Sequence, residues 1–216
     1  MPRCSAWAGI VPQIEDRFCP KLLVWSSAFD LALESRSWRT EMKLTEFLLA
    51  QLEREIQASR LALERVPEGR NHWKPHEKSM PLGYLASLVA TMPSWIVTMV
   101  TEDEFDMKSP EAAKFKPLEW QTRAELLAAL DRAASDARQA LRTTNEDHLL
   151  TTWKFVVGGH VVSENPRHVM IADSVYSHLA HHRGQLTVYL RLNEASVPAL
   201  YGPSADEGRF AEPAVR

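Results

Sequence analysis

The stretch that decides the fold spans residues 178–185 and reads His178-Leu179-Ala180-His181-His182-Arg183-Gly184-Gln185. It lies inside an apolar-periodic segment of roughly residues 166–192, which predicts a long helix. Positions four apart on a helix lie nearly one above the other, so His178 and His182 can direct ring nitrogens at a single ion. His181 lies about 100° around the helix from His182 and cannot easily join them. Two half-buried histidines bonded to other helices are the alternative interpretation.

Two further helices are predicted upstream. A three-to-four-residue apolar period over about residues 43–65 predicts the first of them. A broad apolar stripe from Leu82 to Met99 predicts the second, which Pro93 should kink or break. The acidic stretch at residues 101–108 is expected to be solvated, and the residues after it, to Gln121, are expected to form a connector.

A third helix and a hairpin fill the chain between these helices and the last one. Thr122 and Glu125 match a capping box, and the helical period after them continues to about residue 143. β-Branched and aromatic residues around a Gly-Gly pair, at 153–162, predict a short β-hairpin. Asn165 and Pro166 are expected to supply the N-cap and the first residue of the last helix.

This element order predicts an all-α fold, a four-helix bundle with a short β-hairpin before the last helix. The bundle is expected to span residues 42–207, followed by a tail at 208–216. Residues 1–41 lack a sustained period and are expected to form an irregular extension, with Met42 as the natural start.

The composition narrows the classes of function. The net charge of −3, from 25 basic and 28 acidic residues, gives no electrostatic footprint for nucleic acid. The two cysteines, Cys4 and Cys19, do not describe a disulfide framework. No run of 18 apolar residues predicts a membrane span. A cytoplasmic protein is therefore expected, with neither nucleic acid nor membrane as partner.

Over about residues 42–207 the chain resembles the DinB-like superfamily, also called the DinB/YfiT-like metalloenzymes. Four segments carry the resemblance, namely Trp73 to Leu88, the Gly158-Gly159 hairpin, His178 to Leu186, and Val197 to Glu207. The resemblance implies an up-down-down-up four-helix bundle, often a homodimer. It also implies a divalent cation held by one histidine from the second helix and two from the last, spaced as His178 and His182 are.

The chain departs from that pattern at Leu88, which stands where the resemblance implies the histidine of the second helix. Two imidazoles hold zinc or nickel weakly, because a catalytic site normally uses three protein ligands. Three interpretations are open. A third ligand could come from His76, Glu77 or His160, the site could be incomplete in a non-catalytic bundle, or the histidine pair could act as a metal-free general base.

Some relatives in the superfamily are thiol S-transferases and one branch contains maleylpyruvate isomerases, so the resemblance names no substrate. We expect a metal-dependent protein, with Zn²⁺ or Ni²⁺ at His178 and His182, that uses a thiol or water against a small electrophile. The alternative is a non-catalytic dimeric bundle with an incomplete metal site, acting in stress response or binding.

Three other residues near the histidines have both a functional and a structural interpretation. Gln185 could orient His182 or be a satisfied buried amide. Arg183 is expected to tie helix ends to the acidic tail at residues 206–207. Tyr201 could cap the pocket or pack on the last helix.

Overall fold

The computed structural model describes residues 42–112 and 118–208, and most of these residues are helical. The helices are α1 (Leu44–Leu63), α2 (Leu82–Thr91), α3 (Trp95–Thr101), α4 (Arg123–Thr143), α5 (Glu146–Leu150), α6 (Arg167–Ile171) and α7 (His178–Leu192). The strands are β1 (Glu104–Asp106), β2 (Thr152–Val157) and β3 (His160–Pro166). The extension predicted for residues 1–41 and residues 209–216 of the predicted tail lie outside the described residues.

The first helix forms because its apolar side chains recur on one face. Leu48, Leu52, Ile56 and Leu63 are all buried, as the predicted period requires. Burying a leucine or isoleucine side chain stabilises a fold by roughly 1.5–3 kcal/mol, so this stripe fixes α1 on the core.

The second helical segment breaks at Pro93, as predicted. A proline ring cannot donate a backbone hydrogen bond, and a 3-10 turn at Met92–Ser94 separates α2 from α3. Leu82–Thr101 is long and apolar enough to cross a membrane by length and composition alone. Half of it is buried inside the protein, and a core helix passes the same test.

The capping box at the start of α4 is confirmed. The Thr122 hydroxyl accepts a hydrogen bond from the Glu125 backbone N–H at 3.4 Å, and the Glu125 carboxylate accepts one from the Thr122 N–H at 3.4 Å. Both groups satisfy backbone donors that the first helical turn leaves unpaired.

The predicted hairpin is present and longer than expected, and it belongs to a three-stranded sheet in the order β1-β2-β3. β2 and β3 pair antiparallel, and Gly158 and Gly159 form the turn with φ of 61° and 79°. β1 pairs parallel to β2, so the stretch at residues 101–108 is mostly exposed, as predicted, but also contains a strand that was not predicted. Backbone pairing with β2 holds this segment in place. The Asp106 carboxylate adds to it by accepting hydrogen bonds from the backbone N–H groups of Gly158, at 2.8 Å, and Gly159, at 2.9 Å.

The C-terminal helical segment comprises α6, a π-helix at Ala172–Ser177 and α7. It begins at Arg167, one residue later than predicted, and Asn165 is not its N-cap because Asn165 pairs with Trp153 in the sheet. The Arg167 guanidinium instead fixes this end, donating to the carbonyls of Met99 and Glu102 at the end of α3. The π-helix, whose backbone bonds skip one extra residue, was not predicted.

The fold is therefore mostly helical with a small three-stranded sheet, which confirms the helical class and adds a strand to the predicted hairpin. After α7 the chain is irregular, as predicted. Ion pairs from Arg191 to Asp206 and from Arg65 to Glu207 fasten this irregular tail to α7 and to the end of α1.

Candidate functional site

His178 and His182 lie side by side at the start of α7. Their ring centroids are 4.5 Å apart and their planes are inclined by 40°, so the four-residue spacing brings the two imidazoles together. His182 is buried, with 8% of its surface exposed, whereas His178 and His181 are exposed. The pair therefore consists of one ring inside the protein and one at the protein surface. A small molecule can reach the pair from the side of the exposed His178 ring.

Gln185 holds the buried ring in one orientation. The Nδ1 of His182 lies 2.9 Å from the Gln185 side-chain oxygen, which can only accept, so Nδ1 carries the proton and donates. A neutral imidazole protonated on Nδ1 presents an unprotonated Nε2, the form that ligates metals. This contact is the one that the orienting interpretation of Gln185 requires.

The second helical segment packs against the histidine pair. The Trp95 ring lies 5.8 Å from the His178 ring, and at the other end of α7 the Tyr189 hydroxyl donates to the Met80 carbonyl at 3.1 Å. The two segments therefore run antiparallel between these contacts. Leu88 lies in α2, upstream of Trp95, and is partly buried against the hydrophobic core. The residue at the position where the resemblance implies a third histidine is thus a hydrocarbon that packs on the core.

The surroundings of His178 favour its neutral form. Desolvation of the imidazole by the neighbouring protein atoms lowers its pKa below the usual value, and the nearby His182 lowers the pKa further. A neutral His178 has a nitrogen lone pair available near neutral pH. This lone pair on His178 can accept a cation.

None of the three sequence candidates for a third ligand joins the pair. Within residues 42–112 and 118–208, no group of three or more His, Cys, Asp or Glu side chains is placed to hold a metal ion. His76, Glu77 and His160 are exposed, and the Nδ1 of His76 accepts from the Lys78 backbone instead. The site that the described residues form thus has two imidazole donors.

Arg183 follows His182 in the chain but does not contact the tail acids, so that prediction is wrong. Its guanidinium is fully buried and forms an ion pair with Glu55 of α1 at 2.5 Å. It also donates to the Ser59 hydroxyl at 2.9 Å, to the Glu55 carbonyl at 3.1 Å and to the Tyr201 hydroxyl. Arg183 therefore joins α7 to α1 and to the tail from inside.

Tyr201 lies over this buried pair. Its hydroxyl donates to the Glu55 carboxylate at 2.7 Å while its ring remains exposed. Desolvation of the hydroxyl and the hydrogen bond to Glu55 raise the pKa of Tyr201 to about 12. Sequence reasoning missed Glu55 and Trp95, although a polar Ser59 within the apolar period of α1 signalled a buried partner.

The comparisons with known proteins bear on the fold. No family model and no curated protein matches this sequence. A DinB-like protein, YjoA, from Bacillus subtilis has 16% identity and a TM-score of 0.53, covering 70% of this chain and 96% of its own. A DinB-like protein from Bacillus cereus ATCC 10987 has 18% identity and a TM-score of 0.57, covering 72% of this chain and 97% of its own.

A third solved structure, described as a candidate DinB family member from Exiguobacterium sibiricum 255-15, has 17% identity and a TM-score of 0.51. The match covers 71% of this chain and 93% of that one. At these identities the likeness is one of fold, and a fold does not name a reaction. The chain thus has the DinB-like fold, as its sequence resemblance predicted.

Proposed function

We propose that this chain binds a divalent cation such as Zn²⁺ or Ni²⁺ through His178 and His182. The observation that carries the proposal is the adjacency of the two rings, 4.5 Å between centroids, together with the Gln185 contact that leaves Nε2 of His182 unprotonated. Imidazole nitrogen suits both metals. Two donors fit an exchangeable cation with open coordination positions, unlike the closed four-ligand set of a structural zinc site.

The proposed chemistry is attack by a thiol or water on a small electrophile. A bound divalent cation supplies stabilisation of thiolate or hydroxide at neutral pH. Two side chains of the protein shape the proposed site. Gln185 fixes the His182 tautomer, and Trp95 shields one side of His178 from water. His178, at the boundary, leaves the other side accessible to a substrate.

Titration of the metal-stripped full chain with Ni²⁺ or Zn²⁺, followed by calorimetry, tests the proposal. The wild type should bind about one ion per chain, and the double variant His178→Ala with His182→Ala should lose that binding. His181→Ala is the matched control, since its ring lies about 100° around the helix from His182 and should not be needed. Equal binding by the double variant and by His181→Ala would place the metal elsewhere.

A second candidate function is a non-catalytic bundle acting in binding or stress response. Leu88 and the two-donor site formed by the described residues favour it, because a catalytic zinc normally has three protein ligands. A ligand that binds only the native state raises its melting temperature. A melting temperature unchanged by Zn²⁺, Ni²⁺ and Mn²⁺ would support this candidate over the first.

With either function, the helix arrangement and the oligomeric state that we propose are those that the resemblance to the DinB-like superfamily implies. We propose an up-down-down-up bundle formed by α1, the α2–α3 segment, α4 and the C-terminal helical segment. We also propose a homodimer in the cytoplasm. Sedimentation at micromolar concentration tests the dimer, and a monomer over that range would contradict it.

A further inference from the structure

A cavity lies away from the histidine pair, in the cleft between α1 and the C-terminal helical segment. Its volume is about 370 Å³, within the range of roughly 300–1,000 Å³ typical of small-molecule sites. α1 contributes Phe47, Gln51 and Arg54 to its lining, and the C-terminal segment contributes Ala172, Tyr176 and Ala180. We call this cavity the α1 cleft.

The α1 cleft is separate from the histidine site. Ala180 lies two residues from both His178 and His182, which places it about 160–200° around the helix from each of them. The histidines face the α2–α3 segment through Trp95, whereas Ala180 faces α1. A ligand in the cleft would therefore not touch the imidazoles.

The walls of the α1 cleft are largely apolar. Tyr176 is buried, and its hydroxyl is occupied by donation to the Leu48 carbonyl at 2.7 Å, so its ring offers the cleft a hydrocarbon surface. Phe47 adds an exposed aromatic ring at the rim. Ala172 and Ala180 have short side chains that leave room between the two helices. Such walls suit the body of an apolar molecule.

The charges around the α1 cleft favour an anion. Glu55 lines the cleft, but its carboxylate is already occupied by Arg183, by the Tyr201 hydroxyl and by the Gln51 amide at 3.2 Å. Arg54 is exposed and has no hydrogen-bond or ion-pair partner among the described residues. The guanidinium is the charged group left to recognise a ligand, and its planar donors match a carboxylate.

The backbone beside the cleft is also unusual. Ala172, Tyr176 and a further lining residue, Ser177, all belong to the π-helix at Ala172–Ser177. Single π-helical turns inside α-helices are rare and occur frequently at functional sites. The lining, the unpaired cation and the irregular backbone thus coincide at one place.

From these observations we infer that the α1 cleft binds a small carboxylate with an apolar body, with the carboxylate at Arg54 and the body between Phe47, Tyr176 and Ala180. The proposal is independent of metal binding at the histidines. A cationic ligand is disfavoured because the one buried carboxylate at the cleft already has a full set of donors.

Calorimetric titration of the full chain with octanoate tests the inference, with octan-1-ol as the uncharged probe of the same chain length. Octanoate should bind the wild type, and Arg54→Gln should weaken its binding fivefold or more without changing that of octan-1-ol. Arg132→Gln is the matched control, since Arg132 is an exposed arginine of α4 outside the cleft. It should bind both probes as the wild type does.

Two more variants locate the binding. Ala180→Trp should fill the cleft and abolish binding of both probes, whereas His182→Ala should leave octanoate binding unchanged. The inference is overturned if octanoate does not bind the wild type or if Arg54→Gln and Arg132→Gln bind it equally. It is also overturned if Ala180→Trp converts a wild-type dimer to a monomer, because a second copy would then cover the cleft. Should Ala180→Trp fail to fold, the two arginine variants still decide.

Discussion

His182 and Arg183 are neighbours in the chain and both are buried, yet the fold treats their polar groups in opposite ways. The Arg183 guanidinium has a carboxylate, a hydroxyl from Ser59 and a carbonyl within 3.1 Å. The His182 ring has a hydrogen-bond partner in Gln185, and no group among the described residues hydrogen-bonds its second nitrogen. Both terminal nitrogens of the Arg183 guanidinium thus have partners, while its Nε has none among the described residues, and the imidazole is left with capacity to bind a ligand.

The two residues therefore have different expected roles: Arg183 stabilises the fold, and His182 is available to bind a ligand. A buried charge is tolerated only when it is paired, so the contacts of Arg183 are needed to keep the fold. A neutral imidazole is far less costly to leave partly unpaired, and its spare nitrogen can serve a ligand. The Arg183 face should therefore respond to substitution through unfolding, and the histidine face through binding.

The largest effect should come from breaking the buried pair. Glu55→Gln leaves the Arg183 charge without its counter-ion and should lower the free energy of unfolding by about 3 kcal/mol or more. Urea denaturation measures this loss. Glu53→Gln is the control, because Glu53 pairs with Arg138 at the surface and should cost less than about 1 kcal/mol. Equal losses in both variants would contradict the dependence of the fold on the buried Arg183–Glu55 pair.

Adding a ligand should complete the histidine face. Leu88→His would place an imidazole where the resemblance implies the third ligand and should raise zinc affinity by roughly tenfold or more, which corresponds to about 1.4 kcal/mol. Competition with a chelating dye measures the affinity. Val188→His adds a histidine at an exposed position of α7 and should leave the affinity unchanged. If zinc affinity rose equally in both variants, position 88 would have no special role in the site.

Removing the contact that orients His182 should reverse part of that gain. In the Leu88→His background, Gln185→Ala takes away the acceptor of Nδ1–H and should lower zinc affinity by about tenfold, the typical effect of losing a partner of a ligating imidazole. Thr187→Ala, on the same helix, is the control because its hydroxyl donates to the Gly184 carbonyl. Unchanged affinity after Gln185→Ala would mean that packing alone fixes the ring.

The smallest effect concerns protonation of His178. Its pKa is lowered by desolvation and by His182, so His182→Ala should raise it toward the usual value while the desolvation part remains. The unfolded chain takes up this proton first, near its ordinary pKa of about 6.5. His178 therefore lowers stability as the pH falls from about 6.5 toward its folded pKa.

NMR titration of the ring protons of His178 follows this change directly. In the wild type the midpoint should lie below that of an unfolded peptide with the same local sequence. A midpoint at or above the peptide value would contradict the crowded environment assigned to the ring.

Much of the fold could be predicted because its signals are local. The α1 period, the Pro93 break, the Thr122 capping box and the Gly158-Gly159 turn each depend on residues within a few positions of one another. β1 could not be predicted in this way. Its three residues pair with a strand about fifty residues later, and their acidic composition alone suggests solvent.

The candidate site could likewise be predicted only where its signals are local. The spacing of His178 and His182 fixed their adjacency, and the three-residue step to Gln185 made its contact with His182 available. Long-range packing decided the rest. The partner of Arg183 lies 128 residues away on α1, and the exposure of each imidazole depends on where Trp95 of the second segment packs.

The wide turn at Ala172–Ser177 sets the rotational phase of the helix beyond it. A π turn accommodates one more residue than an α turn, and each residue on a helix advances the side-chain direction by about 100°. If the same residues were wound as an uninterrupted α-helix, every later side chain would be rotated by about that angle relative to the Arg167 anchor. His182 would then point in the direction that Arg183 now takes toward α1, and Arg183 would point where the exposed Gly184 now lies. The wide turn thus determines which side chain of α7 meets Glu55.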